Sequence, residues 1–212
     1  MTVVGLDRSR GRWVAVAANG PDCEIGLVNS AGEVMTRWPE ARVVAVDIPI
    51  GLPVDRIGRE VDVEARRLLG ARGSSVFPAL PAELYRVPYL QALRLSRERY
   101  GVGFSKQAWQ LGPAVLDVAA VAGDGWIEAH PELAFLRLAD RPLAAKKTWT
   151  GLASRLRLLA GAGLDLPVGD VGAPPDDVLD AAVCVVVARR LLAGVAQRIP
   201  LVAGSGQPVI WS

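Results

Sequence analysis

Histidine and cysteine are scarce in this chain, and neither is arranged for a metal. One residue in 212 is histidine and two are cysteine. Cys23 and Cys184 form no C-x-x-C pair, so a zinc site is not expected. Cys184 falls in the apolar run 181–192, where a thiol behaves as a small core residue. Strong charge of one sign is missing too: the net charge is +2 and the pI is near 8.7. Nucleic-acid binders usually carry a marked basic excess, but local distribution matters more than the sum, so the partner stays open. With 22 glycines and 15 prolines, usage is close to average, which argues against a fibrous or disordered chain. The longest apolar stretch, 178–192, is interrupted by Asp180, Arg189 and Arg190 and is too short to span a bilayer. The opening MTVVGLDRSR lacks the charged-then-apolar layout of a secretory signal, so a cytoplasmic protein with no membrane partner is expected. There is no internal repeat and no low-complexity tract. No GxxxxGK[ST] loop occurs, since Lys147-Thr148 lacks the glycines, and Gly101-Val102-Gly103 is too short for a dinucleotide site.

What is present is a chain that is 51% hydrophobic and long enough to bury a core as one domain, 1–212. Three strands open it, at 2–7, 12–18 and 23–28, separated by the turns 8–11 and 19–22. A short helix fits 29–40, capped by Asn29 or Ser30. Residues 42–48, apolar from Val43 to Val46 and closing on Asp47, read as a strand buried on both faces. A helical insertion follows over about 55–123, with helices expected at 59–70, 88–99 and 106–121. A fifth strand at 125–130 stops at Pro131, and helices are expected at 132–139, 146–160 and 176–193. The tail 199–211 reads as a hairpin around Ala203-Gly204-Ser205-Gly206. This order is that of an α/β, ribonuclease-H-like mixed five-stranded sheet flanked by helices, with strands one and four adjacent at its centre.

Carboxylates sit at telling places in that order. Asp7 ends the first strand and Asp47 the fourth, so the two can lie side by side. Two such charges repel unless a cation lies between them. A turn cap is the plain alternative for either residue alone. Trp126, Glu128 and His130 share one face of the fifth strand by its two-residue period. Glu128 is thus a candidate metal ligand and His130 a candidate proton shuttle; the alternative is a structural His130 hydrogen-bonded to Glu128. Asp176 suits the cap of the last helix. Asp177 and Asp180 lie three apart on a face continuing through Cys184, Val187 and Leu191, so they head a stripe directed at the sheet. Carboxylates converging from separate elements suit two Mg²⁺ or Mn²⁺ ions roughly 3.5–4 Å apart, the arrangement of a two-metal phosphodiesterase.

The motifs Gly5-Leu6-Asp7 with Arg12-Trp13-Val14, and 46–53 (Val-Asp-Ile-Pro-Ile-Gly-Leu-Pro), resemble the family called domain of unknown function 429. The likeness continues in Arg59-Glu60-Val61-Asp62, 72–77, Ser105-Lys106-Gln107, 128–132, Lys146-Lys147-Thr148 and 176–181. It implies a ribonuclease-H-like fold and a metal-dependent nuclease, with an acidic set mapping onto Asp7, Asp47, Glu128 and Asp177 or Asp180. Where many relatives have Cys before the aspartate, this chain has Val61-Asp62, which tells against a thiol function there.

The insertion is locally basic, with ten Arg or Lys against five Asp or Glu over 56–106. Arg59, Arg66 and Arg72 are candidate phosphate contacts, with Ser74 and Ser75 as hydrogen-bond donors; Lys106, Gln107, Lys146 and Lys147 are further candidates. A solvated surface is the plain alternative for each single arginine. Trp109 and Tyr85 could stack on bases or fill core. The expected activity is therefore hydrolysis of nucleic-acid or nucleotide phosphodiester bonds with Mg²⁺ or Mn²⁺. Two alternatives are a nucleotide- or phosphate-binding module, in the manner of kinases and actin-like ATPases, and a non-catalytic scaffold.

Overall fold

The computed structural model describes residues 1–201, 204 and 207–212. Strands β1 (Thr2–Ser9), β2 (Arg12–Asn19) and β3 (Asp22–Val28) form an antiparallel meander. Helix α1 (Ala31–Arg37) follows, capped by the Ser30 hydroxyl, and leads to β4 (Val43–Val46). β4 pairs parallel to β1, and β5 (Trp126–Glu128) pairs parallel to β4. The result is a mixed five-stranded sheet in the order β3-β2-β1-β4-β5. Between β4 and β5 come α2 (Glu60–Leu69), a 3₁₀ turn (Gly70–Ser75), α3 (Ala82–Tyr85), α4 (Tyr89–Tyr100), α5 (Lys106–Gln110) and α6 (Gly112–Ala119). After β5 come α7 (Pro131–Ala139), α8 (Trp149–Gly161) and α9 (Pro175–Leu192).

Strand periodicity divides the core between the two sheet faces. Val3, Val43 and Ala45 meet α9 on one face, while Val4, Leu6, Val44 and Val46 meet the insertion helices on the other. The α9 side is built around a close approach. A Cβ on Gly5 would stand 2.0 Å from the Ala181 carbonyl oxygen, so only glycine lets the helix lie this near β1. α9 is buried continuously from Val178 to Ala188. That explains why its sequence is apolar all round rather than along one stripe.

Several expected boundaries shift for local reasons. The single helix expected at 106–121 is two, because the chain turns at Leu111 and restarts at Gly112 with Pro113 in its first turn. The helix expected from 146 begins at Trp149 behind the Thr148 hydroxyl cap, leaving Lys146 and Lys147 in a loop. Asp176 is not the N-cap of the last helix; Pro174 occupies that position and Asp176 lies in the first turn. In the tail, β6 (Arg198–Ile199) pairs antiparallel with β7 (Ile210–Trp211). Of the turn expected between them, residues 203, 205 and 206 lie outside the described residues. Among the described residues no helix is long and apolar enough to cross a membrane.

Candidate functional site

The parallel pairing of β1 with β4 sets the geometry of the site. Leu6 lies opposite Val46, and the Asp47 N–H donates to the Leu6 carbonyl at 3.1 Å, so Asp7 and Asp47 leave the sheet at neighbouring points. Both keep the parity of Val3, Gly5, Val43 and Ala45, which places them on the α9 face. α9 brings Asp180 to the same place, one residue before the Ala181 carbonyl that Gly5 admits. All three line a cavity of about 630 Å³ at the end of the sheet.

These carboxylates are short of partners. Among the described residues, neither the Asp7 nor the Asp47 side chain accepts a protein hydrogen bond. Burial and the neighbouring Asp47, Asp180 and Asp177 charges push the Asp7 carboxyl well above its ordinary range. Burial and Asp180 raise Asp47 to about 8, against a weaker opposing pull from Lys146. Asp180 is raised to about 6, chiefly by burial, although Lys146 Nζ donates to its Oδ2 at 2.5 Å. Its Oδ1 is buried with no hydrogen-bond partner. Fully ionised, the three carboxylates would carry two negative charges more than the Lys146 ammonium offsets, which is why burial and mutual repulsion raise their pKa values.

The acidic residue of β5 has a different environment. Glu128 pairs with Val46 and shares its parity, so it leaves the sheet on the face opposite Asp7 and Asp47. There Arg59 grips it: Nη1 donates to Oε2 and Nη2 to Oε1, both at 2.7 Å, and the Ile50 N–H donates to Oε2 at 2.8 Å. Both oxygens are committed to donors, although Glu128 lines the same cavity as Asp7, Asp47 and Asp180. Arg59, expected at a phosphate, is instead buried between Glu128 and Asp62 and also donates to the Ile50 carbonyl. Asp62 accepts in turn from the Arg59 and Ala79 N–H groups, so its carboxylate is a hub that ties α2 to the loop after it.

His130 lines the cavity but is the N-cap of α7, its Nδ1 accepting from the Leu133 N–H at 3.4 Å. Glu128 is not its partner. Burial lowers its pKa to about 4, outweighing the Glu132 charge, so the ring is neutral at physiological pH. Asp177 lies near enough to raise Asp7 but does not line the cavity, whereas Asp180 does; the choice between them falls to Asp180.

Of the basic and polar candidates, Arg59, Arg72, Ser74, Ser75, Lys146 and Lys147 line the cavity. Arg72 is ion-paired to Glu132 at 2.6 Å, and the Ser75 hydroxyl donates to the Arg72 carbonyl, which leaves Ser74 and Lys147 as exposed, uncommitted groups. Arg66 does not reach the cavity; its Nε donates to the Val76 carbonyl at 2.8 Å. Lys106 and Gln107 stand exposed on α5, away from it. Trp109 and Tyr85 are core: the indole donates to the Leu84 and Val87 carbonyls, and the buried tyrosine hydroxyl accepts from the Leu80 N–H.

Two residues that shape the site carried little sequence signal. Glu132 accepts from Arg72 and from Arg155, which is fully buried on α8. Arg155 occupies the inward stripe of that helix with Leu152 and Leu159, and an arginine at a core-facing position was the available hint.

Oxygen-only donors suit a hard divalent ion such as Mg²⁺ or Mn²⁺. Among the described residues, no group of three or more His, Cys, Asp or Glu side chains is gathered to hold a metal as it stands. Mg²⁺ usually keeps several waters and is bound through one or two carboxylates plus substrate phosphate. The partnerless Asp180 Oδ1 and the uncompensated pair Asp7 and Asp47 fit such an ion.

A family model described as Protein of unknown function (DUF429) matches residues 5–203. No curated protein and no solved structure matches the chain.

Proposed function

The chain belongs to the DUF429 family of proteins of unknown function, and from that premise we propose that it hydrolyses nucleic-acid or nucleotide phosphodiester bonds with Mg²⁺ or Mn²⁺. The reading includes a ribonuclease-H-like fold, supported by the antiparallel β3-β2-β1 half joined through a parallel β1–β4 pair to β5. One observation carries it: Asp7 from β1, Asp47 from the end of β4 and Asp180 from α9 converge on one cavity with a single ammonium against three carboxylates.

Asp7, Asp47 and Asp180 would hold the ion, with room for one or two. A bound divalent ion supplies Lewis acidity toward a phosphoryl oxygen and lowers the pKa of water. The protein's part is positional. Arg59 and Glu128 fix the loop from Asp47 to Ile50 from behind, so the Asp47 carboxylate is presented from a backbone with little freedom. Ser74 and Lys147 stand on the cavity wall, where a phosphate oxygen can be met by a hydroxyl and an ammonium. His130, neutral with Nδ1 engaged, cannot deliver a proton as imidazolium near pH 7; its part is to accept or donate one hydrogen bond at the wall.

The experiment is incubation of the purified chain with single- and double-stranded DNA, RNA and small nucleotide diesters, with Mg²⁺, Mn²⁺ or EDTA. The expected result is metal-dependent cleavage lost in Asp7→Asn and Asp47→Asn with cooperative melting retained. Cleavage that persists in both folded variants defeats the reading.

A further inference from the structure

Lys146, one of the candidate phosphate contacts, lines the cavity. It sits on no helix or strand, yet its position is tightly determined. The loop before it is held by two arginines: Arg155 donates to the Ala144 carbonyl at 3.0 Å and Arg72 donates to the Leu143 carbonyl. Both arginines are themselves tied to one carboxylate, Glu132, at 2.7 and 2.6 Å. The Thr148 hydroxyl donates to the Ala145 carbonyl, and a Cβ on Gly151 would stand 2.0 Å from that same oxygen. Three hydrogen bonds and one close backbone approach therefore anchor the segment that carries the Lys146 ammonium to the cavity on a flexible four-carbon stem.

That ammonium is placed where a metal would compete with it. Nζ lies 2.5 Å from Asp180 Oδ2 and 3.9 Å from Asp176 Oδ2, and its charge also acts on Asp7 and Asp47. It is about one-third exposed, so the stem has room to turn into the cavity. Of the other lining cations, Arg59 is engaged with Asp62 and Glu128 and Arg72 with Glu132, while Arg8 and Lys147 have no ion pair among the described residues. Lys146 is the lining cation that is ion-paired to one of the under-compensated aspartates.

We propose that Lys146 is the resident counter-cation of the Asp7–Asp47–Asp180 cluster, displaced by an entering divalent ion and then free to meet the anionic oxygen of the substrate phosphate. This rests on the divalent-metal reading above. The displacement exchanges one positive charge for two at the carboxylates and keeps the ammonium within its stem's reach, so metal entry and phosphate capture are coupled. Asp180 Oδ1, which Lys146 does not satisfy, is the oxygen that gains a partner in the exchange.

The test uses the full chain and two probes. Mn²⁺ binding without substrate is followed by loss of the free-ion paramagnetic resonance signal; inorganic phosphate binding to the Mg²⁺-loaded chain is followed by calorimetry. Lys146→Gln is expected to tighten Mn²⁺ binding about tenfold by removing the competing charge, and to weaken phosphate binding about tenfold. Lys146→Arg, which keeps a cation, is expected to stay near wild type for Mn²⁺. Lys146→Met, which keeps the stem, replaces the glutamine variant should that one fail to melt cooperatively. A merely structural lysine would not move the two affinities in opposite directions. Unchanged or weaker Mn²⁺ binding, or unchanged phosphate binding, in the folded variant overturns the proposal. If wild type binds Mn²⁺, Asp47→Asn does not, and Lys146→Gln matches wild type, the lysine role falls while the metal reading stands. If neither wild type nor Lys146→Gln binds Mn²⁺, both fall.

Discussion

Two groups of carboxylates lie at the same end of the sheet, and they are treated in opposite ways. Behind the sheet, Asp62 and Glu128 share Arg59, and every carboxylate oxygen has a donor, backbone N–H groups included. In front, among the described residues, only Asp180 Oδ2 has a protein donor, Lys146, and the other oxygens of Asp7, Asp47 and Asp180 have none. A buried ion pair that is fully hydrogen-bonded can hold its geometry. Buried carboxylates without donors raise their own pKa values and wait for a proton or a cation. The first group therefore reads as a fastening and the second as a binding site.

The strongest way to break this contrast is to exchange which group matters for activity. Asp7→Asn or Asp47→Asn should reduce metal-dependent turnover by on the order of a thousandfold or more, while the melting temperature holds or rises because a repulsion has gone. Arg59→Met should do the reverse to stability. It leaves two buried carboxylates unpaired, and a loss of about 3–5 kcal/mol in denaturant unfolding is expected. A folded Arg59→Met that loses less than about 1 kcal/mol would mean the rear network is not a fastening.

The sequence made half of this contrast legible. Asp7 and Asp47 could be paired because each closes an apolar run, and two parallel central strands carry such residues to one place. Asp180 was visible as a charge interrupting an apolar helix. Glu128 lines the cavity as expected, but its pairing with Arg59 was not legible because a carboxylate at a strand end does not announce its face. That depends on register, and Glu128 is paired with Val46 rather than with Asp47. Arg59 was unreadable for a related reason: its partner Glu128 is 69 positions away, and only the folded insertion brings them together. Lys146 fell inside an expected helix, since nothing local distinguishes a lysine in a first turn from one in the loop before a threonine cap.

A third, smaller effect separates the two groups by pH. In the metal-free chain Asp47 titrates near 8 and Asp180 near 6, against 3.8 for an ordinary aspartate. The folded state thus holds more protons than the unfolded state between these values, so stability falls as pH rises from about 4 to about 8. Discounting for solvent in the cavity, the loss is on the order of 2 kcal/mol. Thermal melts across this range in EDTA should show the decline, and Mn²⁺ should abolish it by supplying the missing charge. Asp47→Asn should flatten the EDTA curve. A curve that is already flat in wild type would mean the front carboxylates are compensated after all.

His130 supplies the smallest effect, and its sign is opposite. Its pKa is depressed from 6.5 to about 4 in the folded state, so it contributes stability above its unfolded value that is lost as pH falls through about 4. The aspartates favour the folded state on the acid side of their window while His130 opposes it, which places the metal-free optimum between the two. His130→Asn separates these terms, because asparagine is a good N-cap and can still accept from the Leu133 N–H while carrying no titratable proton. The variant should melt within about 1 kcal/mol of wild type near pH 7 and outlast it below about pH 5. Metal-dependent turnover near pH 7 should fall only slightly, since a neutral ring held as a helix cap has no proton to give as imidazolium. A large loss of turnover with the acid side of the melt unchanged would instead move His130 out of the fastening and into the chemistry.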